Sequence, residues 1–291
     1  MRASLAAIQW RLLLLWTLVL WLPTAVVGLP LWSRLGELLD HSVNAQAWAA
    51  HFSPLMFGDT VSAMSDETGW FHGVAMLGLL LTALLMPFLN GMLVGSGRAG
   101  RALGFSHLLQ SGIVEYGRMF RLMLWSLLPY LIFGGLAVFA FNAADKVGEH
   151  AVLESKSDSA SHMVVWLAVV LILLAQAIVE SARAAFIADS GLRSATRALG
   201  RGFMQLLRRP LSTLLCMVMI SLIGYAIAMA LGVLRAHSPA ISVGGTVLAI
   251  VLTQMVVMAI GWTHVARVFS LAEVARSLPG SRRGSGLPPA M

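Results

Sequence analysis

"MVVWLAVVLILLAQAIVESARAAFIADSGLRSATRALGRGFMQLLRRP", residues 163 to 210, begins uncharged and apolar, crosses Glu180 and Arg183, and ends among Arg193, Arg197, Arg201, Arg208 and Arg209. About twenty apolar residues cross the hydrocarbon core of a bilayer as a helix. The first part therefore reads as a membrane span. The charge behind it then needs a reason, and three compete: a nucleic-acid contact, an anion or substrate site, or a helix lying on a membrane surface.

Composition supports the membrane reading over the whole chain. Of 291 residues 58% are hydrophobic and 11% charged, with a mean hydropathy of +0.81, against roughly 25% charged in soluble domains. Hydropathy along the sequence gives six spans, at 12–33, 71–96, 122–142, 163–187, 211–234 and 241–264. The expected fold is all-α, a polytopic membrane protein with a single domain over 1–278 and a disordered tail over 279–291. The first span, within "RLLLLWTLVLWLPTAVVGLPLW" (11–32), outruns the roughly 7 to 15 apolar residues of a secretory signal and contains Pro23 and Pro30, so it reads as retained.

Lys and Arg near short loops stay on the cytoplasmic side. With the N-terminus inside, sixteen of the twenty basic residues fall at inner boundaries: Arg2 and Arg11; Arg98, Arg101, Arg118 and Arg121; Arg183 and the five arginines of 193–209; Arg267, Arg276, Arg282 and Arg283. Only Arg34, Lys146, Lys156 and Arg235 lie outside, where Glu37, Asp40, Asp59, Asp66, Glu67, Asp145, Glu149, Glu154 and Asp158 collect. The net charge of +7 is thus an orientation signal, and without a nucleic-acid-binding motif no DNA or RNA partner is expected. The expected location is a bacterial inner membrane, multi-pass, with both termini cytoplasmic and a periplasmic segment at 34–70.

At about 100° per residue, Leu192, Ala195, Leu199, Phe203, Leu206 and Leu207 share one face of 192–209, and Arg193, Arg197, Arg201 and Arg208 the other. Asp189 and Ser190 are candidate N-caps, and Pro210 suits the start of the next helix. "FSHLLQSGIVEYGRMFR" (105–121) repeats the design, with Phe105, Leu108, Leu109, Gly112, Tyr116, Met119 and Phe120 opposite His107, Gln110, Arg118 and Arg121. Both segments read as amphipathic cytoplasmic interfacial helices whose arginines contact anionic lipid headgroups. A soluble or anionic partner is the alternative use of the same arginines. The chain then divides into three units, 1–97, 98–188 and 189–266, each a basic segment followed by two spans.

"FSHLLQSGIVEYGRMFRLMLWSLL" (105–128), "VESARAAFIADSGLRSATRALGRGFMQLLRRPLSTLL" (179–215) and "LLDHSVNAQAWAAHFSPLMFGDTV" (38–61) resemble uncharacterised bacterial six-helix membrane proteins. More distantly they are similar to the membrane domain of some glycerophosphodiester phosphodiesterases. The resemblance implies a six-span fold with interfacial helices and carries over no functional residue. The chain has no room for the phosphodiesterase's catalytic barrel.

No HExxH, Walker-type loop or Gly-x-Ser-x-Gly elbow occurs, so no catalytic residue is assigned and no enzyme is expected. His41, His51 and His72 with Asp40, Asp59 and Asp66 match no metal-ligand spacing; neither a metal nor a cofactor is implied. Cys216 is alone in the sequence, and Gly91 with Gly95, and Gly224 with Ala228 and Gly232, have the spacing of close helix contacts. Segment 34–70, with Leu38, Leu39, Trp48, Phe52, Leu55 and Phe57 among acids, suits a cap on the outer membrane face or a docking surface for a membrane or periplasmic protein.

Ionisable groups inside spans are costly, which singles out Glu180, on one helix face with Gln176 and Arg183. One reading is a Glu180–Arg183 ion pair at the headgroups. The other is a polar lining for a proton or solute path, joined by Asn90, Gln254 or His264, with Pro87 and Pro129 available to break spans. Two functions follow: a non-catalytic membrane component or scaffold of a partner complex, or a small-molecule or lipid transporter using a site near Glu180. A polar cavity within the membrane would favour the second.

Overall fold

The computed structural model describes residues 9–39, 43, 54–65, 68–149, 154–238 and 242–278. Among them are eight helices and no strand: α1 (Trp10–Leu39), α2 (Pro54–Ser65), α3 (Thr68–Ala99), α4 (Phe105–Glu149), α5 (Glu154–Ala188), α6 (Ala195–Arg208), α7 (Pro210–Ala236) and α8 (Val243–Arg276). Six of these, all but α2 and α6, are long and apolar enough to cross a membrane. The protein is a multi-pass, all-α membrane protein. Arg2, Arg282, Arg283 and the tail 279–291 lie outside the described residues, as do Asp40, His41, Trp48, His51, Phe52, Asp66 and Glu67 of segment 34–70.

Segment 105–121 is not a separate interfacial helix. It is the first part of α4, 45 residues without interruption and about 67 Å long at 1.5 Å per residue. Arg121 and Leu122 mark a change of polarity, but no Gly, Pro or cap stands there to end a helix. Nor do the prolines break spans: Pro23, Pro30, Pro87 and Pro129 all sit inside continuous helices.

The helix α6 is distinct, because Arg209 leaves helical geometry and Pro210 starts α7 at its first turn. The two basic segments are therefore built differently, and the equivalence expected of them does not hold. The N-cap is neither Asp189 nor Ser190 but Ser194, whose hydroxyl accepts from the Arg197 amide at 3.4 Å. Asp189 instead accepts from the Gly191 amide at 2.9 Å and pairs with Arg201 at 2.6 Å, closing the turn before α6.

The α6 residues facing protein are Ala195, Ala198, Gly202, Gln205 and Leu206. Gly202 crosses α5 so closely that a Cβ would stand 2.4 Å from the Ile178 carbonyl oxygen. Small residues make the closest approach, while Leu206 and Leu199 of the wheel's apolar face pack beside it against Ile178. Phe203 and Leu207 are exposed beside it, as are Arg193, Arg197, Arg201 and Arg208.

Close crossings of the same kind join α3 to α4 at Gly91 and Gly112, and α7 to α8 at Gly224 and Thr263. Without a hydrophobic force between helices in lipid, such backbone approach is what holds a bundle together. The tight core lies at one end of the molecule, the end where α3 joins α4 and α5 joins α6. It contains Leu12, Leu89, Met92, Leu93, Phe186 and Leu271, all fully buried. Because arginines crowd there, we call it the basic end; the opposite end, where α1 and α4 finish, is the acidic end.

Candidate functional site

Just above that core, α1, α3, α4, α5 and α8 line a partly open cavity of about 540 Å³. The helix α7 packs against α8 and contributes no lining residue. At the base of the cavity is a polar network centred on Glu180, whose side chain is fully buried on α5. Its Oε1 forms an ion pair with Arg267 Nη2 of α8 at 2.9 Å, accepts from Gln176 Nε2 at 3.2 Å, and stands 3.3 Å from His264 Nδ1. Oε2 makes no hydrogen bond. Arg267 also donates to Ser221 Oγ of α7 at 3.0 Å, so one side chain ties three helices together.

Glu180 is thus paired with Arg267 and not with Arg183. A headgroup-level Glu180–Arg183 pair does not form: although three residues apart on one helix, Glu180 turns toward α8 and Arg183 toward the cavity. Arg183 makes no hydrogen bond or ion pair with any of the described residues, although Glu180, Tyr130 and Arg267 lie within its electrostatic reach.

Hydrogen-bond direction fixes more of the network. Asn90 Nδ2 donates to the Met86 carbonyl at 2.9 Å, which leaves Oδ1 facing His264 Nε2 at 3.0 Å. That nitrogen must therefore donate. The other ring nitrogen faces the Glu180 carboxylate, so both point at acceptors, as an imidazolium requires or as a proton held between Nδ1 and Oε1 would provide. The site can hold a proton between α5 and α8.

Of the residues singled out in the sequence, Gln176, Glu180, Arg183, Asn90 and His264 come together here; Gln254 does not line the cavity. Arg267 and Ser221 were missed. Arg267 had been counted with the boundary arginines, yet its side chain is 8% exposed. Its signal was its position three residues after His264, the spacing that also separates Glu180 and Arg183.

A second network stands nearer the basic end. The Glu115 carboxylate is buried between Arg98 at 2.6 Å and Arg118 at 2.9 Å, and Arg98 Nε donates to the Phe186 carbonyl. Ser96 and Gln9 are also hydrogen-bonded there. All their partners are internal, which makes this a clamp between α3, α4 and α5. No three His, Cys, Asp or Glu side chains converge among the described residues.

Compared with family models, curated proteins and solved structures, the chain matches none.

Proposed function

We propose that this protein is a transporter or permease that binds a small solute inside its ring of five helices. The observation that carries the reading is the cavity itself: about 540 Å³, within the roughly 300–1,000 Å³ of small-molecule sites, mostly apolar with a few convergent polar groups. A scaffold has no use for such a space or for a guanidinium directed into it. The His264–Glu180 contact would supply a proton site beside the solute, the arrangement expected where intramembrane ionisable groups are functional.

The orientation we propose has the basic end in the cytoplasm of a bacterial inner membrane, supported by the distribution of Lys and Arg. In it, α6 rests at the anionic headgroups through Arg193, Arg197, Arg201 and Arg208, with Phe203 and Leu207 toward the acyl boundary. Alkaline-phosphatase fusions test the topology: one at Ser157 is active and one at Ser281 inactive, and the reverse pattern would overturn it.

The cavity is tested by cysteine accessibility in a Cys216→Ala background. Ala83→Cys, in the cavity wall, should react with a small hydrophilic thiol reagent in native membranes, whereas Leu93→Cys, in the packed core, should not. Equal inertness of both would sink the solute-binding reading.

A further inference from the structure

The cavity wall carries one guanidinium that the described residues leave unmatched, and that group selects the occupant. Two guanidinium groups, Arg183 and Arg267, line the cavity, and one carboxylate, Glu180, stands behind it. Glu180 is taken by Arg267 at 2.9 Å, with Gln176 and His264 on the same oxygen. That leaves Arg183 with no ion pair and no hydrogen bond among the described residues. The Tyr130 hydroxyl, also on the wall and within electrostatic reach of Arg183, has no hydrogen-bond partner among them either. A guanidinium away from bulk water is costly unless it meets an anion, and its planar fork matches carboxylate or phosphate with two parallel hydrogen bonds.

On α3 and α8 the wall is graded along the bundle axis, whereas on α4 the apolar Met119, Leu122 and Met123 lie on the basic-end side of Tyr130 and on α5 Gln176 lies two turns toward the acidic end from Arg183. Asn90, His264 and Arg267 sit toward the basic end. One to three turns toward the acidic end on α3 and α8, and on α1, the lining becomes Ala83, Met86, Val257, Ile260 and Leu20. Below the polar groups the packed core closes the space. An occupant therefore meets its positive partner at the closed end and apolar surface above it.

Resting on the solute-binding reading above, we infer that the cavity takes an amphipathic monoanion, with a carboxylate or phosphate head on Arg183 and Tyr130 and an apolar body toward the acidic end. Such an anion has two sources, the aqueous phase or an anionic phospholipid of the bilayer. A head without a body forgoes the apolar wall, and a body without a charge leaves Arg183 unmatched. Both should bind poorly.

The test is calorimetric titration of the full-length protein in phosphatidylcholine nanodiscs with decanoate, decanol and inorganic phosphate. Decanoate should bind at least tenfold more tightly than either of the others. Arg183→Gln should weaken decanoate at least tenfold, Arg183→Lys should restore part of the affinity through its charge, and neither should lower the unfolding temperature, because Arg183 has no protein partner to lose. If the anion comes from the bilayer, replacing part of the phosphatidylcholine with phosphatidylglycerol will compete with decanoate in the wild type and not in Arg183→Gln. If it comes from water, decanoate will bind equally in both lipids. Decanol binding as well as decanoate, decanoate binding unchanged by Arg183→Gln, or no binding by decanoate and no effect of phosphatidylglycerol would each overturn the inference. Should Ala83→Cys remain reactive in that event, only the ligand class falls; should it be inert as well, the cavity reading falls with it.

Discussion

The two ends of the bundle have similar apolar composition and opposite packing. At the basic end Leu89, Met92, Leu93, Phe186, Val265 and Leu271 are fully buried, while toward the acidic end Leu131, Phe139, Met163 and Trp166 are about 70% exposed. Their glycines differ in the same way. A Cβ on Gly91, Gly95, Gly97 or Gly112 would meet a neighbouring helix within 3 Å, whereas around Gly28, Gly73, Gly134 and Gly135 nothing lies within 4 Å; Gly78 against Val27 at the acidic end, and Gly100, Gly117 and Gly200 in open space at the basic end, are exceptions. The ion pairs involving Glu115 and Glu180 also belong to the basic half or its boundary. Hydrophobicity places helices in the bilayer, but it does not join them. Close approach and polar contact do, and the cavity opens where these give out.

The strongest way to break this contrast is at Arg267. Arg267→Leu leaves the Glu180 charge buried without its cation, which should destabilise by about 3–5 kcal/mol, read as a large fall in unfolding temperature in detergent. Adding Glu180→Gln removes the orphaned charge and should recover most of that loss. Trp166→Ala in the acidic half, truncating a far larger side chain that is mostly exposed, should cost much less. If Trp166→Ala proved as damaging as Arg267→Leu, the division of the molecule into a packed and an open half would be wrong.

Glycine substitutions sharpen the same comparison at lower cost. Gly202→Val drives a side chain into the Ile178 carbonyl and the Ala182 backbone, overpacking that should cost about 1–3 kcal/mol. Gly134→Val enters open space and should fall within about 0.5 kcal/mol of wild type. Thermal unfolding of the two variants side by side provides the measurement, and equal melting temperatures would show that the α5–α6 crossing is not needed for stability.

How much of this was legible in the sequence follows from the same physics. All six spans were, because length and hydropathy are local properties. The continuity of α4 was misjudged because polarity changes at Arg121 while helix geometry does not. Within the site, Gln176, Glu180, Arg183, Asn90 and His264 stood out as polar groups in apolar runs. What could not be seen was who faces whom. The partner of Glu180 is 87 positions away on α8, and choosing Arg267 over Arg183 needs the rotation of α5 about its axis, which depends on its packing against other helices. Arg267 also lay just past the expected end of its span, where an arginine ordinarily snorkels to the surface.

A smaller effect is expected at the start of α6. Ser194→Ala removes the hydroxyl that accepts from the Arg197 amide, a cap whose loss typically costs about 1 kcal/mol. The loss should appear as faster amide exchange confined to the first turn of α6, with the cavity and decanoate binding unchanged. Exchange that speeds up throughout α5 and α6 would mean that the cap holds the whole crossing.

The smallest effect concerns the turn just before that cap. The Arg201 guanidinium, hydrogen-bonded to Asp189 at 2.6 Å, holds this carboxyl below its ordinary range, helped by the Gly191 amide, while partial burial opposes them. A carboxyl whose folded value is lowered adds stability above its unfolded value and loses it as pH falls through the folded one. The α5–α6 turn should therefore hold at neutral pH and loosen only below the usual carboxylate range. Both side chains are more than a third exposed, so salt should screen most of the contribution. Amide exchange at Gly191 and Leu192, followed from pH 6 to pH 3 in low and high salt, provides the readout. Protection should fall with acid in low salt, change less in high salt, and become insensitive to pH in Asp189→Asn. Protection that instead rose on acidification would reverse the sign and show that burial, not Arg201, governs Asp189.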